Sequence, residues 1–371
     1  MSRRVLFSIC IILIIALTLG LFGACSAPPP VTTTAIQTST TTTTATTTQT
    51  QTTTSTTVIK PIQLKLTDIY TSDNTNGRLD DLFAKMVSDK TGGRVKITVF
   101  HSESLGKQTD FINMMKGGIV EIANLSAGTY SAQFEMETGI ELPGLGIPSR
   151  NARSKITWDL FNQGLLKGLS DFKVLGILPG SSLNIFVKPK VTTVDGFKGL
   201  RLRGSNANTL KFIDALGGAG VSIPGPELYM SLERGVIDGV CTGWEYVLQA
   251  KLYEVVKNNI WSPPLAYSCL FLVMNKNSWN SIPKDLQDAI DQVIIEYNQA
   301  YLADRAPDDQ KAPQLMRDVG MEVYDLNATE TAKMLEKASV VKNNWITQVE
   351  AKGLPAQKMM DAIAQFVKNA S

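Results

Sequence analysis

The residues with obvious chemistry in this 371-residue chain are few, and their spacing narrows what they can do. His101 is the only histidine. It stands in the polar run His101-Ser102-Glu103-Ser104 after a strand pattern, where a lone imidazole reads as a surface group rather than a general base. No nucleophile elbow, HExxH pattern, Walker loop or dinucleotide fingerprint occurs, which weighs against an enzyme. The paired carboxylates Asp80-Asp81 and Asp308-Asp309 fall on polar helix faces or in loops and read as solvated. Arg201 and Arg203 occupy alternate positions of one strand and so project to the same side. A planar guanidinium offers two parallel donors to a carboxylate. Arg203 ends its strand beside Gly204, where it could reach a cleft. Read alone, either arginine is equally a surface group paired with an acid.

The elements around these groups alternate between strand and helix. Ile62 to Leu66 alternates at period two, Leu79, Leu82, Phe83, Met86 and Val87 recur at helical spacing, and Val95 to Phe100 is the next strand. A helix follows over residues 108–116, then a short strand over 120–123. Residues 172–178 and 183–187 read as two strands separated by Pro179-Gly180-Ser181-Ser182. A second run begins near Val191: a strand over 197–203, a helix capped by Ser205 or Asn206, a short helix after Pro226 and a strand over 236–241. Leu270 to Met274 is apolar throughout, as a strand buried on both faces is. From Pro283 an apolar helical pattern repeats for about five turns, and another carries Leu335, Ala338, Val341, Trp345 and Val349. Two runs of βα units predict an α/β fold of two lobes meeting at a cleft.

The N-terminus predicts export. Arg3 and Arg4 precede an apolar stretch over residues 5–24, the charged and hydrophobic regions of a signal. An uncleaved anchor would place the rest of the chain on the same side of the membrane. Leu21-Phe22-Gly23-Ala24-Cys25 resembles a bacterial lipoprotein box, which implies a signal over 1–24 and a lipid on Cys25. Residues 31–58 hold 18 threonines and no charge; such a segment cannot bury a core and reads as a tether over 25–59. The folded part then spans residues 60–371, comfortable for two lobes. With Arg3 and Arg4 set aside, 34 basic side chains face 34 acidic ones. A neutral chain argues against nucleic acid as a partner, and any bound anion must be held by a few placed groups. Of the 4 cysteines, only Cys241 and Cys269 fall in the folded part, either as a pair or as separate buried thiols.

Ordered segments across the folded part resemble the solute-binding proteins of tripartite ATP-independent periplasmic (TRAP) transporters, the DctP-like family. They are Thr91-Gly92-Gly93-Arg94-Val95, Ser104-Leu105-Gly106, Gly118-Ile119-Val120-Glu121-Ile122-Ala123 and Leu142-Pro143-Gly144-Leu145. The strongest are Phe197-Lys198-Gly199-Leu200-Arg201-Leu202-Arg203, then Ala215-Leu216-Gly217, the stretch from Glu227 to Gly239, and Lys251-Leu252-Tyr253-Glu254-Val255-Val256.

The resemblance implies a periplasmic-binding-protein-like α/β fold with mixed sheets and long C-terminal helices spanning the lobes. The first lobe would hold about 60–186 plus a later return segment, the second about 187–269 plus the C-terminal helices. It implies an extracytoplasmic receptor that captures a small organic acid by closure and delivers it to a TRAP permease driven by an ion gradient, without enzymatic turnover. Arg203 stands at the family's carboxylate-clamping arginine. Thr242, Trp244 and Glu245 follow the turn that carries ligand contacts, and some members use such a tryptophan and glutamate beside a metal ion bridging a 2-oxo acid. Asn124, Ser126, Tyr130 and Tyr70 would line the first lobe's side, with Tyr229 and Ser182 as further contacts. No cofactor is required; the metal ion is the one option. Many members carry another arginine on the strand that here reads Gly180-Ser181-Ser182-Leu183-Asn184. Its absence favours a monocarboxylate or 2-oxo acid. The rivals are a binding protein of an ATP-driven importer or a sensor, a secreted enzyme using the same cleft, and an adhesion lipoprotein.

Overall fold

The computed structural model describes residues 60–261 and 265–370. The expectations for the signal, for Cys25 and for the threonine-rich run lie outside those residues. β1 (Ile62–Thr67), α1 (Thr75–Lys90) and β2 (Val95–Phe100) form the expected βαβ unit, with β1 and β2 parallel in continuous register. Asn74 caps α1 by accepting the Asn76 N–H. Next come α2 (Phe111–Lys116) and β3 (Ile122–Ser126), parallel to β1 and displaced two residues toward the C-terminus from the predicted strand. α3 (Arg150–Asn162), capped by Ser149, leads into β4 (Phe172–Val187).

The second run contains β5 (Arg201–Arg203), α4 (Ala207–Ala215), β6 (Ala219–Val221), α5 (Leu228–Glu233), β7 (Gly239–Gly243), α6 (Trp244–Gln249) and β8 (Asn258–Ile260). Asn206, one of the two predicted caps, closes a reciprocal capping box with Thr209 at the start of α4. The strand predicted over 197–203 keeps only its last three residues. Gly199 adopts φ of +77°, a conformation that ends an extended run and that glycine alone takes cheaply. The chain finishes with β9 (Ala266–Asn275), α7 (Lys276–Asn280), α8 (Lys284–Asp318), β10 (Glu322–Tyr324), α9 (Ala328–Glu350) and α10 (Ala356–Ala370).

The ten described strands join one mixed sheet, ordered β2-β1-β3-β9-β4-β7-β5-β6, with β8 on β4 and β10 on β8. β4 makes this possible. It runs unbroken for 16 residues where the sequence predicts two strands. Its first half pairs with β9 and its second half with β7 and β8. Pro179-Gly180-Ser181-Ser182 does not turn the chain; it produces a register shift against β9 between Pro179 and Ser182. A proline without an N–H is accommodated at such an irregularity. A Cβ at Gly180 would stand 2.2 Å from the Ser268 Oγ, so any larger residue there must displace that side chain.

The sheet thus divides into two lobes joined through β4, and α8 joins them again. Its 35 residues span about 50 Å at 1.5 Å per residue. Leu286, Ile290, Val293 and Tyr297 pack with Leu64 and Phe83 in the first lobe's core. Ala312 and Met316 pack with Phe186, Leu228 and Val240 in the second's. The helix is about twice as long as its apolar pattern predicts because Pro307 and Pro313 interrupt the pattern without ending it; burial at both ends offsets the roughly 3 kcal/mol that an internal proline costs. The helix α10 had no counterpart among the expected elements. Its Met359 and Ile363 join Trp345 of α9 in a third apolar cluster.

Candidate functional site: a cleft between two lobes

Arg203 ends β5 half-buried, and its Nε donates to the Ile223 carbonyl at 3.1 Å. No described acidic side chain pairs with it, and burial draws its pKa below the usual arginine value. Arg201, two residues earlier, behaves in the opposite way. Its Nε and Nη2 hold Asp238 at 3.0 and 2.9 Å on the surface. The strand therefore presents one neutralised guanidinium and one left for another partner.

The sheet register groups several predicted residues with Arg203. Arg203 lies opposite Val240 on β7, and Thr242, two positions on, opposes Asn184 of β4. Directly opposed and alternate residues share a face, so Arg203, Thr242, Asn184 and Ser182 line one side of the second lobe. The Ser182 hydroxyl donates to the Asn184 side-chain oxygen at 3.2 Å. Trp244, buried at the start of α6, leaves its Nε1 without a partner. Tyr229 lies on α5 and donates its hydroxyl to Glu254 at 2.7 Å.

On the first lobe, Asn124 and Ser126 share a face of β3. Asn124 donates to the Asp80 carboxyl at 3.4 Å, while its own side-chain oxygen has no partner. Ser126 shares a hydrogen bond with the Thr129 hydroxyl at 2.8 Å. Tyr130 donates to the Gln108 carbonyl and sets its ring edge-on to Phe134. Tyr70 follows β1; burial, with Asp80 and Tyr301 adding, raises its phenol well above the ordinary value.

Two carboxylate readings are corrected. Asp80 is fully buried, not solvated, and burial together with the Asp68 charge holds its pKa far above the usual carboxylate range. Asp309 is bound to a buried arginine, described next. His101 likewise bridges two aspartates, Nδ1 to Asp68 at 2.7 Å and Nε2 to Asp81 at 3.3 Å.

Where the lobes join, Arg150 of α3 is 1% exposed. Its Nε and Nη2 hold Asp309 of α8 at 3.0 and 2.7 Å, its Nη2 also meets Glu245 of α6 at 3.0 Å, and its Nη1 donates to the Pro179 carbonyl. The other Glu245 oxygen accepts from Arg305 of α8. Glu245, expected near the ligand, thus has both oxygens engaged by arginines. There is a second junction. Glu141 accepts the Cys269 N–H and the Asn206 side-chain amide, each at 2.9 Å, and Gly128 lies against Asn206. Beside it runs a groove of about 290 Å³ lined by Thr138, Lys211 and Trp345, which Arg203 does not reach. Cys241 and Cys269 are separate buried thiols. Among the described residues no cluster of three or more His, Cys, Asp or Glu side chains has metal-binding geometry. Sequence reasoning passed over Arg150, Arg153, Arg305 and Glu141, for which no motif exists.

The model of the bacterial extracellular solute-binding protein family 7, DctP, matches residues 68–348. The chain belongs to this family. It is a solute-binding receptor of a TRAP transport system acting outside the cytoplasm, not an enzyme. The C4-dicarboxylate-binding periplasmic protein DctP of Rhodobacter capsulatus is 23% identical over 82% of this chain and 92% of its own. A monocarboxylate 2-oxoacid-binding periplasmic protein of Nostoc sp. is 26% identical over 58% of this chain and 60% of its own. Among solved structures, a marine metagenome TRAP solute-binding protein specific for aromatic acid ligands superposes with a TM-score of 0.76 at 22% identity, covering 83% of this chain and 99% of that one. The likeness confirms the two-lobed architecture of the family.

Proposed function

We propose that the cleft captures a small organic acid whose carboxylate is clamped by Arg203, and that the lobes close over it before a membrane permease receives it. The observation that carries this reading is the contrast within one strand: Arg201 has its acid and Arg203, half-buried, has none among the described residues. An incoming carboxylate would gain charge-assisted bonds of about 1.5–3 kcal/mol each once water is excluded. Relatives named for C4-dicarboxylates, 2-oxo acids and aromatic acids support a carboxylate as the common element. With one clamping arginine on these strands, a monocarboxylate or 2-oxo acid is the class proposed, the rest of it meeting Thr242, Ser182, Asn124, Ser126, Tyr70, Tyr130, Tyr229 and Trp244. A metal bridge through Trp244 and Glu245 does not fit, because both Glu245 oxygens are engaged by arginines. Only the closed form gathers contacts from both lobes, so the ligand stabilises closure. A lipid on Cys25 and a threonine-rich tether would hold the receptor near its permease.

The test is native mass spectrometry of the purified protein, then calorimetric titration of organic acids into wild type and Arg203→Ala. A bound acid recovered unchanged, with affinity lost at least a hundredfold in the variant, is the expected result. Retained carboxylate affinity in Arg203→Ala would overturn the assignment.

A further inference from the structure

Three buried arginines meet where the lobes join, and one of them has no acid among the described residues. Arg150 and Arg305 share Glu245 and Asp309. Arg153, one turn after Arg150 on α3, is 4% exposed and forms no ion pair with any described residue. Its Nη1 donates to the Gly180 carbonyl at 2.7 Å, its guanidinium lies over the Tyr267 ring, and its Nε has no partner. Burial, with the charge of Arg150 adding, draws its pKa down to about 10, which leaves it charged at neutral pH.

The two neighbouring guanidiniums make a controlled comparison. On Arg150 the side-on fork of Nε and Nη2 grips Asp309 with two parallel bonds. On Arg153 the Nε of that fork has no described partner, and the bond to the Gly180 carbonyl uses Nη1. Among the described side chains, three positive charges face two negative ones, in surroundings where an unpaired charge is costly. The location is equally specific. Gly180 sits in the register shift of β4, and Tyr267 lies opposite Ser182, so both contacts of Arg153 fall where the shared strand passes between the lobes.

We propose that Arg153 is a second anion-binding group, whose unpartnered Nε edge takes a carboxylate or similar oxyanion of the ligand, so that within the class proposed above the preferred ligand is a 2-oxo acid carrying a second anionic group rather than a monocarboxylate. This deepens, and rests on, the reading of Arg203 as the first clamp. The strand that lacks a second arginine receives one from a helix instead.

The test compares glutarate with pentanoate, equal in length and differing in one carboxylate, by calorimetry on wild type, Arg153→Met, Arg153→Lys and Arg203→Ala. Wild type should favour glutarate by about tenfold or more. Arg153→Met should erase that preference while leaving pentanoate affinity within a few-fold, and Arg153→Lys should keep part of it. Arg203→Ala should weaken both acids. If Arg203→Ala leaves both affinities intact while Arg153→Met still erases the preference, the first clamp is misassigned and Arg153 stands. Equal binding of the two acids by wild type, binding of neither, or a preference unchanged in Arg153→Met overturns the proposal. So does failure of both Arg153 variants to fold by circular dichroism, which would make Arg153 a brace for the β4 bend.

Discussion

Asn206, the cap of α4, donates its side-chain amide to Glu141 at 2.9 Å, joining the two lobes. Glu141 is buried, and that burial raises its pKa to about 7 despite the hydrogen bonds from Cys269 and Asn206. Glu137, whose carboxyl accepts the Leu169 N–H, is likewise raised to about 7 by burial. An acid whose folded pKa exceeds its unfolded value of 4.5 stabilises the fold most below that value. The stability is lost as pH rises through about 7. Each group is worth on the order of 3 kcal/mol across this window. Unfolding midpoints in urea should fall between pH 5 and pH 8, and Glu141→Gln should flatten roughly half of the slope. A slope identical to wild type would refute the assignment of Glu141.

Gly128 gives the same junction its closeness. A Cβ at this position would stand 2.8 Å from the Asn206 Cβ, so Gly128→Val should prop the lobes apart. Small-angle scattering with saturating ligand should show a larger radius of gyration than wild type, and affinity should drop about tenfold or more. Unchanged scattering and affinity would show that the two residues separate freely.

Arg150 should be among the least replaceable side chains. Removing one partner of a buried charge network strands the other, at a cost of about 3–5 kcal/mol. Arg150→Met leaves Asp309 without its bidentate partner and Glu245 with Arg305 alone. Guanidinium chloride titration should show that loss with an unchanged slope.

Asp80 makes the contrasting case. Burial and the Asp68 charge push its carboxyl well above the usual carboxylate range, which favours the neutral form that a carboxamide mimics. Asp80→Asn should cost less than about 1 kcal/mol, whereas Asp309→Asn should cost at least twice that. Equal losses in the two variants would contradict the upward shift of Asp80.

What the chain's sequence discloses follows the range of the forces involved. Asn206 capping α4, the βαβ unit at β1 and β2, and the apolar β9 are local patterns and are legible. So is the different standing of Arg201 and Arg203, once family segments align them. The joining of two predicted strands into β4 is not, because Pro179 and Gly180 carry turn chemistry that only the packing against Ser268 and β9 overrides. Arg150, Arg153 and Arg305 look like any helix-surface arginines. Their burial depends on α3, α6 and α8 converging from positions up to 159 residues apart. Asp80 beside Asp81 reads as a solvated pair until Asn124 of a separate strand is seen against it.

The continuous β4, with α8 passing through both apolar cores, also bears on how such receptors can be recombined. A polypeptide that crosses between its halves by a shared strand and a shared helix cannot be cut into two autonomous modules. Chimaeras that exchange one half with a relative must carry matched versions of both crossings.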